Sequence, residues 1–277
     1  MILKYKLICI DMDGTLLSDK HEVPELNKEM IKEATKQGVK IAITTGRIFT
    51  SAKRYSDLIG TDTPIIASNG AYIREKDKDE VIYESNLSKE QFYKILEVIK
   101  KYNLNVYFNT CDTMITESVI PDNHAYKTMD ADLAEEYKIK FKENAEFDKV
   151  FDEFNGKILK AICIEDQNKE ALNKAKEEMQ KYDDLEVVSS WHNNFEVMPK
   201  GTSKGNAVKI LAQMLGIDRE EVICIGDSEN DLSMIKYAGL GVAMGNALDI
   251  VKENADYITD TNSEAGVGKV IQKFILE

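Results

Sequence analysis

Two aspartates at alternate positions, Asp11 and Asp13, stand directly after a short apolar run. The run, Leu7 to Ile10, is typical of a strand that is buried on both faces. Ligands of open α/β sheets bind beyond the carboxyl ends of the strands, so both carboxylates should face a substrate, and Gly14 lets the chain turn away from them. One carboxylate can attack phosphorus as a nucleophile, while the other protonates the leaving oxygen and later deprotonates a water. A simpler alternative is a pair of loop acids in an Asp-Gly turn.

A second apolar run, Val222 to Ile225, also leads into acidic residues, with Asp227 first and Asp231 four residues later. Because the carboxyl ends of parallel strands meet at one edge of a sheet, Asp227 and Asp11 should converge. Mg²⁺ takes oxygen ligands in near-octahedral geometry, usually a few carboxylates with waters and a substrate phosphate. Asp11, Asp227 and the backbone carbonyl of Asp13 would supply part of that shell. Alternatively, Asp227 or Ser228 only caps the helix that follows.

Two further segments could hold an anion. Thr45, Gly46 and Arg47 lie between an apolar run at 39–44 and a helix, and a hydroxyl beside helix-start amides is a resting place for an anion. Lys204 lies in the first turn of an amphipathic helix, where a cation is unfavourable unless an anion is close. Thr45 could instead be an N-cap, and both Arg47 and Lys204 could be solvated surface charges.

The elements that must position these residues alternate between strands and helices. Helical spacing at 24–37 separates the first apolar run from a strand at 39–44, and this βαβ start predicts a parallel sheet in a doubly wound α/β core. A third strand at 64–67 is followed by Asn69 and Gly70. Asn-Gly between apolar stretches is a strong hairpin signal, which favours a turn role for Asn69.

The character of the chain changes after a charged run at 74–80. A capping box at 88–91 opens a helix, and the strands and helices that follow have antiparallel-looking neighbours. Such units, inserted between the halves of a parallel-sheet domain, indicate a separate α+β module. We therefore predict a discontinuous core of residues 1–84 and 191–277 and an inserted domain of residues 85–190, with Phe195 to Pro199 leading back into the core.

The acidic segment at 11–16 closely resembles the first motif of the haloacid-dehalogenase (HAD) superfamily of phosphohydrolases. The segments around Lys204 and Asp227 resemble the third and fourth HAD motifs, and similar Thr-Gly-Arg elements follow the second strand in Cof-type HAD phosphatases. The insert matches the large C2B cap of this subfamily, IIB. The resemblance spans essentially the whole chain, and it implies a HAD-like, Rossmann-like core with an inserted α+β cap.

The resemblance also implies roles for individual residues. Asp11 would be the nucleophile that becomes a phosphoaspartate, and Asp13 would be the general acid and base. Thr45 and Lys204 complete the expected catalytic set. The expected phosphate-binding residues are Met12, Thr45, Gly46, Arg47, Asn69, Lys204 and Asn230. The expected metal ligands are Asp11, Asp13, Asp227 and Asp231, with Asp231 as either a direct ligand or an orienting residue.

A cap closes over a site, excludes water and selects the leaving group. The polar stretch at 121–148 has weak periodicity and carries His124, Tyr126 and Asp130 as candidate substrate contacts. The sequence does not single out any of the three.

The composition limits the partners and the compartment. A chain of 277 residues with 43% hydrophobic residues can bury a substantial core, and no apolar run approaches the length of a spanning helix. The formal net charge of −13 argues against nucleic acid and anionic membranes, and no obligate protein partner is evident. The start of the chain has no cleavable signal pattern, and the four cysteines lack CxxC spacing, so we expect reduced core cysteines and a cytoplasmic location.

These patterns and the resemblance together imply a Mg²⁺-dependent phosphatase that hydrolyses a small phosphomonoester, either a sugar phosphate or a phosphorylated cofactor. One alternative is a phosphomutase that passes the phosphoryl group to a hexose hydroxyl. Another is a sugar-phosphate-binding regulatory protein without turnover. A phospho-acceptor of the receiver type is a third, and Asp13 and the cap argue against it.

Overall fold

The computed structural model describes residues 3–130 and 133–277, in which strands and helices alternate along most of the chain. The strands, in chain order, are β1 (Leu7–Ile10), β2 (Lys40–Ile43), β3 (Ile65–Ala67), β4 (Tyr72–Arg74), β5 (Val81–Glu84), β6 (Val106–Asn109), β7 (Thr113–Ile115), β8 (Lys140–Lys142), β9 (Lys160–Ile164), β10 (Leu185–Val188), β11 (Asn194–Pro199), β12 (Val222–Gly226), β13 (Leu240–Ala243) and β14 (Tyr257–Ile258). The helices are α1 (Glu25–Lys36), α2 (Phe49–Ile59), α3 (Lys89–Lys101), α4 (Ala125–Asp130), α5 (Phe147–Glu153), α6 (Lys169–Met179), α7 (Lys204–Leu215), α8 (Leu232–Tyr237), α9 (Asp249–Lys252) and α10 (Gly266–Ile271).

The core is built on a parallel sheet with the strand order β14-β13-β12-β1-β2. Strand β1 lies inside this sheet, and its residues are all buried. Ile8 and Ile10 pack towards α1 and α10, whereas Leu7 and Cys9 pack towards α7 and α8. Helices therefore cover both faces of the sheet, and the predicted doubly wound α/β core is confirmed.

A small sheet, β3-β4-β5, continues from the edge of the parallel sheet. Thr44 and Ile66 form a parallel bridge that joins it to the end of β2. The predicted hairpin is confirmed, because β3 and β4 are antiparallel and Asn69 has the left-handed conformation (φ 55°) in the turn between them. Asparagine tolerates this conformation better than most residues, so the turn suits its sequence.

The second large sheet has the order β10-β11-β9-β6-β7-β8 and is antiparallel except between β7 and β8. Its own hydrophobic core, which includes Phe92, Phe108 and Phe147, lies between one face of the sheet and helices α3, α5 and α6. The predicted capping box at the start of α3 is confirmed, since Ser88 and Gln91 exchange side-chain and backbone hydrogen bonds. We call residues 85–199, which carry this sheet, the cap.

The end of the cap differs from the prediction. The segment 195–199, expected to lead back into the core, belongs to β11, which pairs with β9 and β10 in the second sheet. Phe195 and Val197 pack into the cap core while Glu196 faces the opposite way, and this alternation is typical of a strand in a half-covered antiparallel sheet. The boundary predicted at residue 190 is therefore too early, and we place the end of the insert at Pro199.

The polar stretch at 121–148 contains more structure than its weak periodicity indicated, namely α4, β8 and the beginning of α5. All four cysteines are free thiols, and Cys9, Cys163 and Cys224 are buried, as predicted. Each helix within residues 3–130 and 133–277 is too short or too polar to span a membrane.

Candidate active site

The carboxyl ends of β1, β2 and β12 bring the predicted site residues to one edge of the core sheet. Asp11 follows β1, and the loop after it turns at Gly14 (φ 77°). A Cβ atom added to Gly14 would lie 2.6 Å from Oδ2 of Asp227, so the turn requires glycine both for its conformation and for space. The predicted convergence of the β1 and β12 loops is therefore confirmed.

Lys204 is fully buried at the start of α7, where Ser203 is the N-cap. Its Nζ atom lies 2.6 Å from Oδ1 of Asp11 and 2.6 Å from Oδ1 of Asp231. The alternative of a solvated helix-start lysine is thus wrong. Two carboxylates offset the unfavourable position of this ammonium at a helix N-terminus.

Asp227 and Asp231 have different surroundings. The Asp227 carboxylate accepts hydrogen bonds from the hydroxyl groups of Thr15 (2.8 Å) and Ser228 (3.0 Å). Oδ2 of Asp231 accepts from the backbone N–H groups of Asp227 (2.9 Å) and Ser228 (3.0 Å), while its Oδ1 faces Lys204. Both oxygens of Asp231 are therefore engaged by the protein itself.

Carboxylate oxygens of Asp11, Asp227 and Asp231 lie within 4.8 Å of one another, and this is the acidic cluster that the described residues offer to a metal ion. Burial, together with the neighbouring Asp231, raises the pKa of Asp11 well above its usual range and that of Asp227 to about 6. Three carboxylates face one ammonium, that of Lys204. The excess of negative charge and the all-oxygen donor set both suit a hard divalent cation.

Asp13 is absent from this cluster because its side chain turns towards Arg47. The guanidinium binds it through two hydrogen bonds, Nε to Oδ2 (2.7 Å) and Nη2 to Oδ1 (2.5 Å). Burial of the site acts to raise the pKa of Asp13, but the Arg47 charge and hydrogen bonds outweigh it and hold that pKa below its usual range. Arg47 is itself buried, so the alternative of a solvated surface charge is wrong.

The loop after β2 carries Thr45, which is buried and accepts a hydrogen bond at its Oγ1 from the backbone N–H of Arg47 (3.1 Å). Thr45 is not the N-cap of α2, since that position belongs to Ile48. Asn69 serves both as a turn residue and as a neighbour of the site. Its Oδ1 accepts a hydrogen bond from Asn230 (3.0 Å), and its buried Nδ2 has no partner among the described residues.

Two expected phosphate-binding residues can contribute only backbone groups. The side chain of Met12 is fully buried in the main hydrophobic core, so Met12 can contact a ligand of the site only through its backbone. Gly46 has no side chain, and a Cβ atom added there would lie 2.9 Å from Oδ1 of Asn69. The close approach of Asn69 explains why a glycine stands at this position.

A cavity of about 1080 Å³ lies between these loops and the cap sheet. His124 and Tyr126 line it, and the Tyr126 hydroxyl accepts a hydrogen bond from the backbone N–H of Ile48 (3.4 Å). The side chain of Asp130 is outside the described part of the structure. The lining also includes Lys160 and Glu196, which no sequence motif marks as site residues and which form a buried ion pair.

Residues 8–271 match the family model described as haloacid dehalogenase-like hydrolase. The chain belongs to this family. Among curated relatives, 5-amino-6-(5-phospho-D-ribitylamino)uracil phosphatase YcsE of Bacillus subtilis (strain 168) is 34% identical over 271 residues, covering 98% of this chain and 96% of YcsE.

Solved structures agree with this assignment. A haloacid dehalogenase-like hydrolase from B. subtilis is 30% identical with a TM-score of 0.84, covering 98% of this chain and 100% of that one. A HAD subclass IIB sugar phosphatase is 25% identical with a TM-score of 0.80, covering 97% of this chain and 98% of that one. The protein is therefore a HAD phosphatase of the Cof type, which confirms the predicted subfamily and enzyme class. The phosphatase relatives favour hydrolysis over the mutase and regulatory alternatives.

Proposed function

We propose that this HAD phosphatase hydrolyses a small phosphomonoester in a Mg²⁺-dependent reaction that passes through a phosphoaspartate on Asp11. The observation that carries the proposal is the pairing of Asp11, which lines the cavity, with the buried Lys204, 2.6 Å apart, with Asp13 two residues further along the same loop. A carboxylate nucleophile, a second carboxyl and a fixed cation are the groups that a two-step phosphoryl transfer requires.

In the first step, an Asp11 carboxylate oxygen forms a bond to phosphorus while the bond from phosphorus to the ester oxygen breaks. Asp13, in its protonated form, gives its proton to the departing alkoxide. In the second step, Asp13 takes a proton from a water whose oxygen attacks the phosphoaspartate, which releases inorganic phosphate and regenerates Asp11. One residue thus serves first as acid and then as base, because the first step leaves Asp13 deprotonated and ready to accept a proton in the second.

The bidentate contact of Asp13 with Arg47 favours the ionised carboxylate, which suits the second step rather than the first. Binding of the anionic substrate offers Arg47 an alternative partner. As the guanidinium turns to phosphoryl oxygens, the field that keeps Asp13 ionised weakens, and the carboxyl can carry the proton that the leaving oxygen needs.

The charge of the transferring group is held by several residues in this proposal. Lys204 and Arg47 supply cationic groups, Thr45 supplies a hydroxyl, Asn230 supplies an amide, and the Gly46 backbone supplies an N–H. The unpartnered Nδ2 of Asn69 adds one more buried donor. Fixed donors in a site that excludes water stabilise the transition state without reorganising during the reaction.

Asp11, Asp227 and the backbone carbonyl of Asp13 would hold Mg²⁺. Because both oxygens of Asp231 are already engaged by Lys204 and two backbone N–H groups, we assign Asp231 the role of orienting these neighbours rather than of a direct ligand. When bound, Mg²⁺ neutralises charge on the phosphoryl oxygens and on the acidic cluster.

The size and lining of the cavity support a leaving group larger than a simple alcohol. Its wall combines polar side chains such as Asn109 and Asn194 with the aromatic rings of Tyr126 and Trp191. Relatives carry the names of a ribitylaminouracil phosphate phosphatase and a sugar phosphatase. We therefore propose a substrate with a phosphorylated sugar or polyol chain, either alone or attached to a planar ring as in phosphorylated cofactors.

The test is release of inorganic phosphate from a panel of sugar, polyol and cofactor phosphomonoesters, with Mg²⁺ and with chelator. Asp11→Asn serves as the blank, and Asp62→Asn, the same change at an exposed position, is the matched control. We expect Mg²⁺-dependent release that Asp62→Asn retains and Asp11→Asn loses. Turnover by Asp11→Asn at the wild-type rate would refute the phosphoaspartate, and isomerised sugar phosphate without free phosphate would establish a mutase instead.

A further inference from the structure

A buried ion pair of the cap lies against the loop that follows β2 in the core. It joins Lys160 of β9 to Glu196 of β11, whose side chains are 3% and 1% exposed. Alternation along β9 directs Lys160 towards the cavity, whereas Ala161 and Cys163 pack into the cap core. The cap sheet therefore presents a charged pair to the catalytic cavity from the face opposite to its own hydrophobic core.

Lys160 also contacts the core directly. Its Nζ atom donates a hydrogen bond to the carbonyl oxygen of Gly46 at 2.5 Å. The N–H of the same peptide group, that of Arg47, donates to Oγ1 of Thr45 at 3.1 Å. The peptide group between Gly46 and Arg47 is therefore held at both ends, by a cap lysine at its oxygen and by the Thr45 hydroxyl at its nitrogen.

Stability is a weak explanation for this pair. Desolvation of two charges offsets most of their attraction, and replacing a buried ion pair by apolar residues of similar volume is often neutral or stabilising. A buried carboxylate beside a phosphate-binding loop also repels an anionic substrate unless a cation neutralises it. The Glu196 carboxylate is close to that loop, since a Cβ atom added to Gly46 would lie 3.6 Å from its Oε1.

We propose that Lys160 is a positioning residue through which the cap sets the conformation of the phosphate-binding loop of the core, and that Glu196 keeps the Lys160 ammonium directed at the Gly46 carbonyl. A turn of that peptide group would move the Thr45 hydroxyl and the Arg47 guanidinium together. The inference rests on the proposed function, because it concerns the residues that we expect to hold the phosphoryl group.

The experiment measures binding of inorganic phosphate in the presence of Mg²⁺ by isothermal titration calorimetry, beside kcat and KM for the best substrate of the panel. The test variant is the double substitution Lys160→Met/Glu196→Gln, which removes both charges at similar volume and deletes the donor to Gly46. Loss of one hydrogen bond from a charged donor should weaken phosphate binding by about tenfold, with a similar or larger fall in kcat/KM.

Lys53→Met/Glu136→Gln is the matched control, because it deletes another lysine–glutamate pair between core and cap that lies near the surface. Its phosphate affinity should equal that of the wild type. The single variant Glu196→Gln retains the Lys160 donor and should keep phosphate affinity closer to wild type than the double variant does.

The outcomes separate the inference from the proposed function. A wild-type protein that binds phosphate without turning over any substrate contradicts the proposed function, while the effect of the double variant on phosphate binding still decides the role of Lys160. A folded double variant with wild-type phosphate affinity overturns the inference. A double variant that does not fold also overturns it, because the pair would then be an element of stability.

Discussion

The two walls of the cavity are built on different principles. The core wall is the edge of a parallel sheet, where the loops after β1, β2 and β12 meet because their strands run the same way. The cap wall is the face of a mostly antiparallel sheet, where every second side chain enters the cavity. Backbone direction fixes which residues meet at the core edge, whereas on the cap face the register of the paired strands fixes which side chains are neighbours. The acidic cluster therefore lies at the edge, and the contacts that we propose for the leaving group lie at the face.

The largest expected effect concerns the core edge. Asp13→Asn removes the group that we propose as proton donor and acceptor in the two steps, so kcat should fall by about 10³-fold or more. Because the Asp13 side chain contacts Arg47 and lies outside the acidic cluster, Mg²⁺ affinity measured by calorimetry should remain within about twofold of wild type. Loss of Mg²⁺ binding would instead make the Asp13 carboxylate a direct ligand. Asp62→Asn again serves as the control.

The next effect concerns the independence of the cap. Phe108 is fully buried in the cap core, away from the hydrophobic core of the parallel sheet, and Phe108→Ala should lower the free energy of unfolding by about 3–5 kcal/mol in urea titrations. Val119→Ala, at a position 65% exposed, should change it by less than about 0.5 kcal/mol. If Phe108→Ala cost no more than Val119→Ala, the cap would lack a core of its own.

A smaller effect concerns the ionisation of Asp227 at the core edge and its influence on the stability of the metal-free protein. Burial raises the pKa of Asp227 to about 6, whereas an unfolded aspartate titrates near about 3.9. Between these values the folded state binds more protons, so the contribution of this group to the free energy of unfolding should fall by about 1–1.5 kcal/mol between pH 5 and pH 7. Calorimetry in chelator should show a higher Tm near pH 5 than near pH 7.

The comparison for that experiment is Asp227→Asn, which should have a weaker dependence of Tm on pH over the same window. Added Mg²⁺ should raise the wild-type Tm more at pH 7 than at pH 5, because it binds the ionised carboxylates. Equal pH profiles for wild type and Asp227→Asn would contradict the assignment of this charge to Asp227.

The smallest effect concerns the cap face. Trp191 is 60% exposed and lines the cavity, so its ring can stack on a planar leaving group. Trp191→Ala should raise KM for ring-bearing phosphomonoesters by about twofold to tenfold and leave KM for simple sugar phosphates unchanged. Tyr93→Ala removes an exposed aromatic ring elsewhere on the cap and should affect neither. Equal effects on both substrate classes would contradict a stacking role.

The core was largely predictable because its strands are continuous apolar runs bounded by turn residues. Strand β1 has the bounds that the sequence indicates, Leu7–Ile10, and the neighbouring elements agree to within one or two residues at most ends. The acids at these strand ends could be located because parallel strands deliver their loops to one edge. The contact between Asp13 and Arg47 could not be predicted, because it depends on side-chain directions that the spacing of residues does not specify.

The cap face was far less predictable. Lys160 and Glu196 are 36 residues apart in sequence and meet only because β9 and β11 pair in one particular register. A slip of one residue would turn either side chain to the opposite face of the sheet. The alternation of Asn194 to Val197 is typical of a half-covered strand, but by itself it does not distinguish a strand of the cap from one of the core that follows.

The central position of β12 has a consequence for the order in which the protein is made. Strand β12 separates β1 from β13 in the sheet, and the contacts Lys204–Asp11 and Thr15–Asp227 span 193 and 212 residues of sequence. When only the residues up to the end of the cap have been synthesised, β1 and β2 are present but β12 and Lys204 are not. Contacts of such long range form late in folding. The catalytic site therefore cannot assemble until α7 and β12 have been synthesised, which is after the whole sequence of the cap.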